Sequence, residues 1–336
     1  MRNGYHYCLL TLCLAACETA VEVDVPRSPP QLTVNSLFNP DSVWRVELTQ
    51  NRYVLDSASF APVPNAEVRV LQGGQTVAVL DYVGEDRFTG SSIYRATNLR
   101  PQANQDYALN VEHAALGSLL ANSRTTAPQK LRGATLDTLD IRLDSDADND
   151  SKAYAMTILI DDPPEENFYS VSFLERYDGF FADGEFGSED YEIWFQNFTT
   201  RIPIQSDDPV IDSPFDDYRV ELMFKDVSFN GEQYALKVYV PYFWSFSSSG
   251  SVLQDSAFDR RGNLVRVPGD TVNRRTFYAL LRTTTEEYYA YSYTRDLQAS
   301  VENNPFAQPV QVLDNIEGGL GIFAGYSQTE KEVIFK

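Results

Sequence analysis

Short runs in which apolar and polar side chains alternate recur along most of the chain, and this period of two constrains the fold more than any other feature. Between Gln31 and Pro128 they are "LTVNSLF", "VWRVELTQ", "AEVRVL", "TVAVLDYV" and "YALNVEH". Successive side chains of a strand point to opposite faces, so each run offers one face to a core and the other to water. Gly73-Gly74 separates two of the runs and predicts a two-residue hairpin turn. Beyond "TTAPQK" (Thr125 to Lys130) the pattern resumes in "TLDIRL", "AYAMTILI", "FYSVSFLERY", "YEIWFQNF", "YRVELMF", "QYALKVYVPYFWSF" and "TFYALLRT". The 20 Tyr and 20 Phe strengthen the reading, because aromatic and β-branched residues favour strands.

The order of elements from Gln31 onward resembles the small immunoglobulin-like or transthyretin-like sandwiches of exported bacterial proteins, a likeness shared by many unrelated adhesins and transport proteins. The expected fold is mostly β: such a sandwich over 31–128, then a larger antiparallel β domain over 129–336. One helix stands out in the second part. Thr284 with Glu287 fits a capping box, Tyr289, Tyr293, Leu297 and Val301 recur every four residues on one face, and Asn303-Asn304-Pro305 stops the helix. That stripe reads as core packing. "EKEVIFK" predicts a last strand, and the acidic segments "DGFFADGEFGSEDYE" and "QSDDPVIDSPFDDY" read as exposed loops that contact partners.

The first residues, "MRNGYHYCLLTLCLAAC", have the layout of an export signal: one arginine, a short apolar stretch and small residues before Cys17. The stretch is too short to span a bilayer. Leu14-Ala15-Ala16-Cys17 resembles the bacterial lipobox, in which the cysteine is acylated after the signal, here 1–16, is removed. Residues 17–30 then form a lipidated tether. All three cysteines (Cys8, Cys13, Cys17) lie in this segment, so a mature chain holds no disulfide, thiol nucleophile or cysteine metal site. His113 is the one histidine outside it, which excludes a histidine zinc cluster within one chain, and neither GxSxG nor HExxH is present.

The net charge is −21, and 21 acidic against 4 basic side chains lie between Asp140 and Tyr218. Such a surface repels nucleic acid. "DSDADNDS" places Asp144, Asp146 and Asp148 at the first, third and fifth positions of a calcium loop. Asn149 and Ala155, however, stand where that loop needs Gly and a bidentate Glu, so an acidic hairpin tip is the better reading. No catalytic, cofactor-binding or metal-ligating residue is assigned.

Near the C-terminus Gly318, Gly319, Gly321 and Gly325 interleave with Leu320, Ile322, Phe323 and Tyr326. The spacing is not that of a dinucleotide cradle. As a strand, Leu320, Ile322, Ala324 and Tyr326 share one face, while Gly319, Gly321 and Gly325 leave the other nearly bare around Phe323. The α-helix or an adjacent strand is expected against that bare face.

"FKDVSFNGEQYALKVYV", "LRTTTEEYYAYSYTRDLQ" and "NNPFAQPVQVLDNIEGGLGIFAGYS", in that order, closely resemble the domain-of-unknown-function 4249 family of Bacteroidetes lipoproteins. The resemblance implies an outer-membrane lipoprotein, in keeping with the lipobox at Cys17, and Glu18, Glu22 and Asp24 after that cysteine suit display on the cell surface. It also implies a TonB-dependent receptor barrel as partner, and it assigns no catalytic residue. The expected role is therefore a non-enzymatic binding or gating subunit of an uptake system, without cofactor. An adhesion or envelope-structural lipoprotein is the alternative, and a carbohydrate-active enzyme a third reading.

Overall fold

Over residues 31–128 each alternating run becomes a strand with one buried face, whereas β-strand residues 169–175 of the later part are buried on both faces. The computed structural model describes residues 29–53, 60–137, 141–142, 152–183, 192–212, 218–241, 250–253, 256–258, 264–266, 272–301, 307–308 and 310–336. Its first unit holds β1 (Leu32–Phe38), β2 (Arg45–Gln50), β3 (Glu67–Gln72), β4 (Gln75–Glu85), β5 (Ser92–Arg95), β6 (Asp106–His113) and β7 (Gly117–Arg124). β6 buries Tyr107, Leu109 and Val111, and β7 buries Leu119, Ala121 and Ser123. Gly73 and Gly74, at φ 55° and 79°, make the tight turn between β3 and β4, the left-handed pair that a type I′ turn requires. The first half of β4 pairs with β3 and its second half with β5, so one strand passes from one sheet to the other. Between the sheets Trp44 lies 4.7 Å from Phe38 and 4.9 Å from Tyr107, ring centre to ring centre.

The second unit begins with β8 (Lys130–Leu136), β9 (Ile141–Arg142), β10 (Lys152–Asp161), β11 (Phe168–Asp183), β12 (Glu192–Ile202), β13 (Leu222–Lys225) and β14 (Gln233–Pro241). It continues with β15 (Gly250–Leu253), β16 (Ser256–Phe258), β17 (Leu264–Arg266), β18 (Val272–Thr284), the helix α1 (Glu286–Val301), β19 (Ile316–Glu317), β20 (Leu320–Glu332) and β21 (Ile334–Phe335). One sheet runs β14-β10-β8-β21 with β9 beside β10; the other centres on β11, β18 and β20. Met156, Tyr169, Phe173, Phe224 and Phe277 fill the space between them. Burying each such side chain contributes roughly 1.5–3 kcal/mol.

β20 belongs to both units. Its first half runs parallel to β1, from Thr33 opposite Leu320 to Phe38 opposite Gly325. Its second half runs antiparallel to β18, from Thr284 opposite Tyr326 to Tyr278 opposite Glu332. β19 adds itself to β7. Phe323 stacks on Phe38 at 4.5 Å, and with Ile316 it completes the core around Trp44. The first core therefore draws on both ends of the chain.

The glycines of β20 permit this crossing. At Gly321, where φ is 110°, a Cβ would lie 1.9 Å from the Val34 carbonyl oxygen; at Gly325 it would lie 2.0 Å from that of Arg124. The bare face thus meets the backbones of β1 and β7. α1 covers the opposite face, where Ile322, Ala324 and Tyr326 pack with Tyr288 and Tyr289.

The helix departs from its expected frame by one residue. Thr285, not Thr284, is the cap: its Oγ1 accepts from the Tyr288 N–H at 3.5 Å. Thr284 ends β18 and donates instead to the Phe168 carbonyl at 3.3 Å. Tyr288, Tyr289 and Ser292 are buried rather than the whole four-residue stripe, because the sheet supports only the first turns.

Candidate functional site at the junction of the two units

Two adjoining depressions lie where β6 and β7 meet the start of α1 and the turn before β11. One, of about 600 Å³, opens beside Gly74, Tyr107, Leu120 and Asn122. The other, of about 590 Å³, opens beside Asn104, Gln129, Glu165, Glu166, Phe168 and Glu286. Arg124 and Glu287 line both, so they form one groove.

Its residues are held by both units. Arg124, the last residue of β7, donates from Nη2 to Asn104 Oδ1 at 2.6 Å, with Asp106 Oδ1 3.9 Å from its Nε. Thr126 donates from Oγ1 to the Thr283 carbonyl at 2.6 Å, and Ser327 Oγ donates to the Thr126 carbonyl. Asn39 Nδ2 bonds the Tyr326 hydroxyl at 2.6 Å. The first turn of α1 carries Glu286 and Glu287, where the helix dipole favours negative charge.

The opposite wall is the turn "DPPEEN", residues 162–167, fixed from below by two buried carboxyls. The Asn167 N–H donates to Asp226 Oδ2 at 2.6 Å, and Asn167 Nδ2 donates to the Glu165 carbonyl at 2.6 Å. Asp162 accepts from the Tyr169 hydroxyl at 2.5 Å and from the Gly231 N–H at 2.8 Å. Asp226 is fully buried, and its Oδ1 has no hydrogen-bond partner among the described residues. Burial pushes both carboxyls above the usual aspartate range. The hydrogen bonds they accept oppose that rise, while the charge of Asp162 adds to it at Asp226. Burial, and then the bond to Asp162, drives the Tyr169 hydroxyl far above the ordinary tyrosine range.

Beneath α1 a second buried network locks the helix to the sheet. Glu221 Oε1 accepts from Ser170 at 2.5 Å, Arg282 at 3.1 Å and the Tyr288 hydroxyl at 3.4 Å. Arg282 lies over the Tyr326 ring at 4.6 Å. Burial and the charge of Glu221 hold the Tyr288 hydroxyl well above its usual range.

Among the described residues the groove presents Asp106, Glu165, Glu166, Glu286 and Glu287 against the guanidinium of Arg124. With the Asn and Thr groups between them, this is a hydrogen-bond-accepting surface suited to hydroxyl or ammonium donors. His113 takes no part. Its Nδ1 accepts from the N–H groups of Ala115 and Leu116 at 3.3 and 3.2 Å, closing the turn between β6 and β7.

Cys17 lies outside the described residues, as do Asp144, Asp146 and Asp148. Of the two acidic segments expected as open loops, the first has its opening residues 178–183 within β11 and Glu192 at the start of β12, and the stretch between lies outside the described residues. The second is stapled down by tyrosines: Asp208 accepts from Tyr234 at 2.6 Å, Asp207 from Tyr239 at 3.1 Å, and Asp212 from Tyr289. Burial, then the bond to Asp208, pushes Tyr234 up to about 12. The groove carboxylates were visible in sequence only as a proline-bearing turn and a helix start. Their meeting with Arg124 depends on tertiary structure.

The family described as domain of unknown function (DUF4249) matches residues 18–332. The chain belongs to this family. No curated protein matched the chain. Among solved structures, an I-band fragment of titin (I67–I69) shares 8% identity over 92% of this chain and 66% of that chain, just under two thirds of its length, with a TM-score of 0.19. The B domain of a biofilm-associated protein shares 9% identity over 90% of this chain and 85% of that one, with a TM-score of 0.15. No helix among the described residues of this DUF4249 protein is long and apolar enough to cross a membrane.

Proposed function

We propose that the protein is an outer-membrane lipoprotein, anchored through Cys17, that serves a TonB-dependent receptor as a non-enzymatic binding or gating subunit. The observation that carries the reading is the N-terminal pattern: Leu14-Ala15-Ala16-Cys17 is followed at once by the family domain over residues 18–332. Every cysteine of the chain lies at or before position 17, which is compatible with one acylated cysteine and leaves none beyond it for a disulfide framework. Two or more acyl chains on one cysteine make a stable anchor, where a single chain is marginal. The junction groove is the surface assigned to the ligand or to the barrel. Its walls come from separate units tied by one strand, which holds them in fixed register.

Growth of the native bacterium with an alkyne-tagged fatty acid tests the anchor. Wild type is expected to take up the tag and Cys17→Ser to lose it. Affinity purification of the lipidated protein from detergent-solubilised outer membrane tests the partner, and an eluate without a receptor barrel would sink the uptake role while leaving the anchor standing.

A further inference from the structure

The tether enters the first unit at a defined end. Gln31 N–H donates to Asn51 Oδ1 at 2.7 Å, and Asn51 Nδ2 donates to the Pro29 carbonyl at 3.1 Å. Leu32 lies opposite Gln50 in the β1–β2 pair, Leu48 opposite Ser92 in the β2–β5 pair, and Ser92 opposite Glu85 in the β5–β4 pair. The turn from Asp86 to Ser91 therefore projects from the end at which the tether arrives. So does the segment at Phe60: Ala61 accepts from the Gln50 N–H at 3.2 Å, and a Cβ on Gly90 would lie 3.5 Å from the Phe60 carbonyl oxygen.

This end exposes aromatic rings and two arginines, with Glu85 and Asp86 beside them at the end of β4. Phe88 is 83% exposed, Val83 58% and Phe60 42%. Arg87 lies over the Phe88 ring at 4.7 Å and Arg52 over the Phe60 ring at 4.9 Å. The Phe88 turn is shaped by Asp86, whose Oδ1 accepts from the N–H groups of Phe88 and Thr89 at 2.9 and 3.0 Å. Those bonds also hold the Asp86 carboxyl below its usual range. The rest of the molecule differs in charge. Residues 31–128 hold 9 carboxylates against 7 arginines, while residues 129–336 hold 36 carboxylates against 18 cations. β20 leaves the first unit beside Phe38, at the other end of β1, so the acidic unit extends from the opposite pole.

We infer that the Phe60–Phe88 end docks onto the headgroup layer of the membrane, with the two rings entering the interface and Arg52 and Arg87 meeting lipid phosphates. The inference rests on the reading of Cys17 as the anchor. From Cys17 to Pro29 the chain reaches at most about 40 Å, which keeps this end close to the bilayer. An exposed aromatic pair with arginines is the composition that favours an interface having apolar and anionic layers. Docking there directs the junction groove and the acidic unit away from the lipid.

The test uses the full-length lipidated protein in vesicles of phosphatidylethanolamine and phosphatidylglycerol. An introduced cysteine is its only free thiol, so Phe88→Cys and Gln298→Cys, the latter on the exposed side of α1, can each carry an environment-sensitive fluorophore. The probe at 88 is expected to shift to the blue and to be quenched by spin-labelled lipid, and the probe at 298 to do neither. Arg52→Ser and Arg87→Ser are each expected to lower the docked-to-free ratio about fivefold. Flotation reads the anchor separately: protein that stays at the bottom of the gradient overturns the anchor and this inference with it. Protein that floats while position 88 stays as accessible to aqueous quencher as position 298 overturns the docking alone.

Discussion

Asp226 shows how a single residue can link stability to pH. It has no exposed surface, one carboxylate oxygen bonded to Asn167 and the other without a partner among the described residues. Leaving a buried polar atom unpaired is costly, and more so when it is charged. Burial raises Asp226 and Asp162 above the aspartate reference value of 3.8. For an acid raised in this way, the folded state holds its proton more tightly than the unfolded chain does. The contribution to stability is fully present below about pH 4 and is lost as pH rises through the folded value. Asp226→Asn keeps an acceptor for the Asn167 N–H but cannot ionise. Its melting temperature relative to wild type is therefore expected to climb from pH 4 towards neutrality. Melting curves of the pair across that range check this, and a difference that stays constant with pH would show that Asp226 does not titrate there.

Within one element, β20 sets apart what the period of two reveals and what it hides. The alternation of Ile322, Ala324 and Tyr326 against Gly321, Phe323 and Gly325 was legible, as were the Gly73-Gly74 turn and the existence of α1. The partners were not. A strand's pattern names its two faces, but β1 lies nearly 300 residues away in sequence, and nothing local encodes that distance. The cap slipped by one residue for a similar reason: adjacent threonines offer equal hydroxyls, and the pairing of Thr284 with Tyr326 decides which is free to cap. The acidic loop keeps Asp207 and Asp212 exposed, as expected, but nothing in the sequence signalled that tyrosines from β14 and α1 would hydrogen-bond to its aspartates. The glycines give this element a sharp test. Gly321→Ala would add a positive-φ side chain and a clash with Val34, and Gly325→Ala a clash with Arg124. Each is expected to cost about 3 kcal/mol or more. Gly133→Ala in β8, whose Cβ would sit 3.8 Å from Leu159, is expected to stay within about 0.5 kcal/mol of wild type. Urea titration of the three variants checks the ranking, and a near-neutral Gly321→Ala would contradict the close approach of β20 to β1.

For the molecule as a whole, the shared strand means that neither core is closed by a continuous stretch of sequence. Residues 31–128 supply most of the first core, yet Phe323 and Ile316 come from the far end of the chain. Without β20 the long edge of β1 is left unpaired, an invitation to aggregation. The loss of Phe323 alone is worth about 3–5 kcal/mol by the scale of Phe→Ala substitutions, a large part of the roughly 5–15 kcal/mol by which a domain is stable. The contacts of Thr126 with Thr283 and Ser327 tie the segment between the units to the same strands. Two consequences follow from this connectivity. The full chain is expected to unfold in a single calorimetric transition rather than two. A fragment of residues 29–128 is expected to lack a cooperative melt and near-ultraviolet dichroism, and to regain both when residues 314–327 are supplied in trans as a peptide. A fragment that melts cooperatively by itself would mean that β20 decorates the first unit rather than completing it. The groove walls would then be free to move relative to one another, and a gating role would have to rest on that motion instead of on a fixed surface.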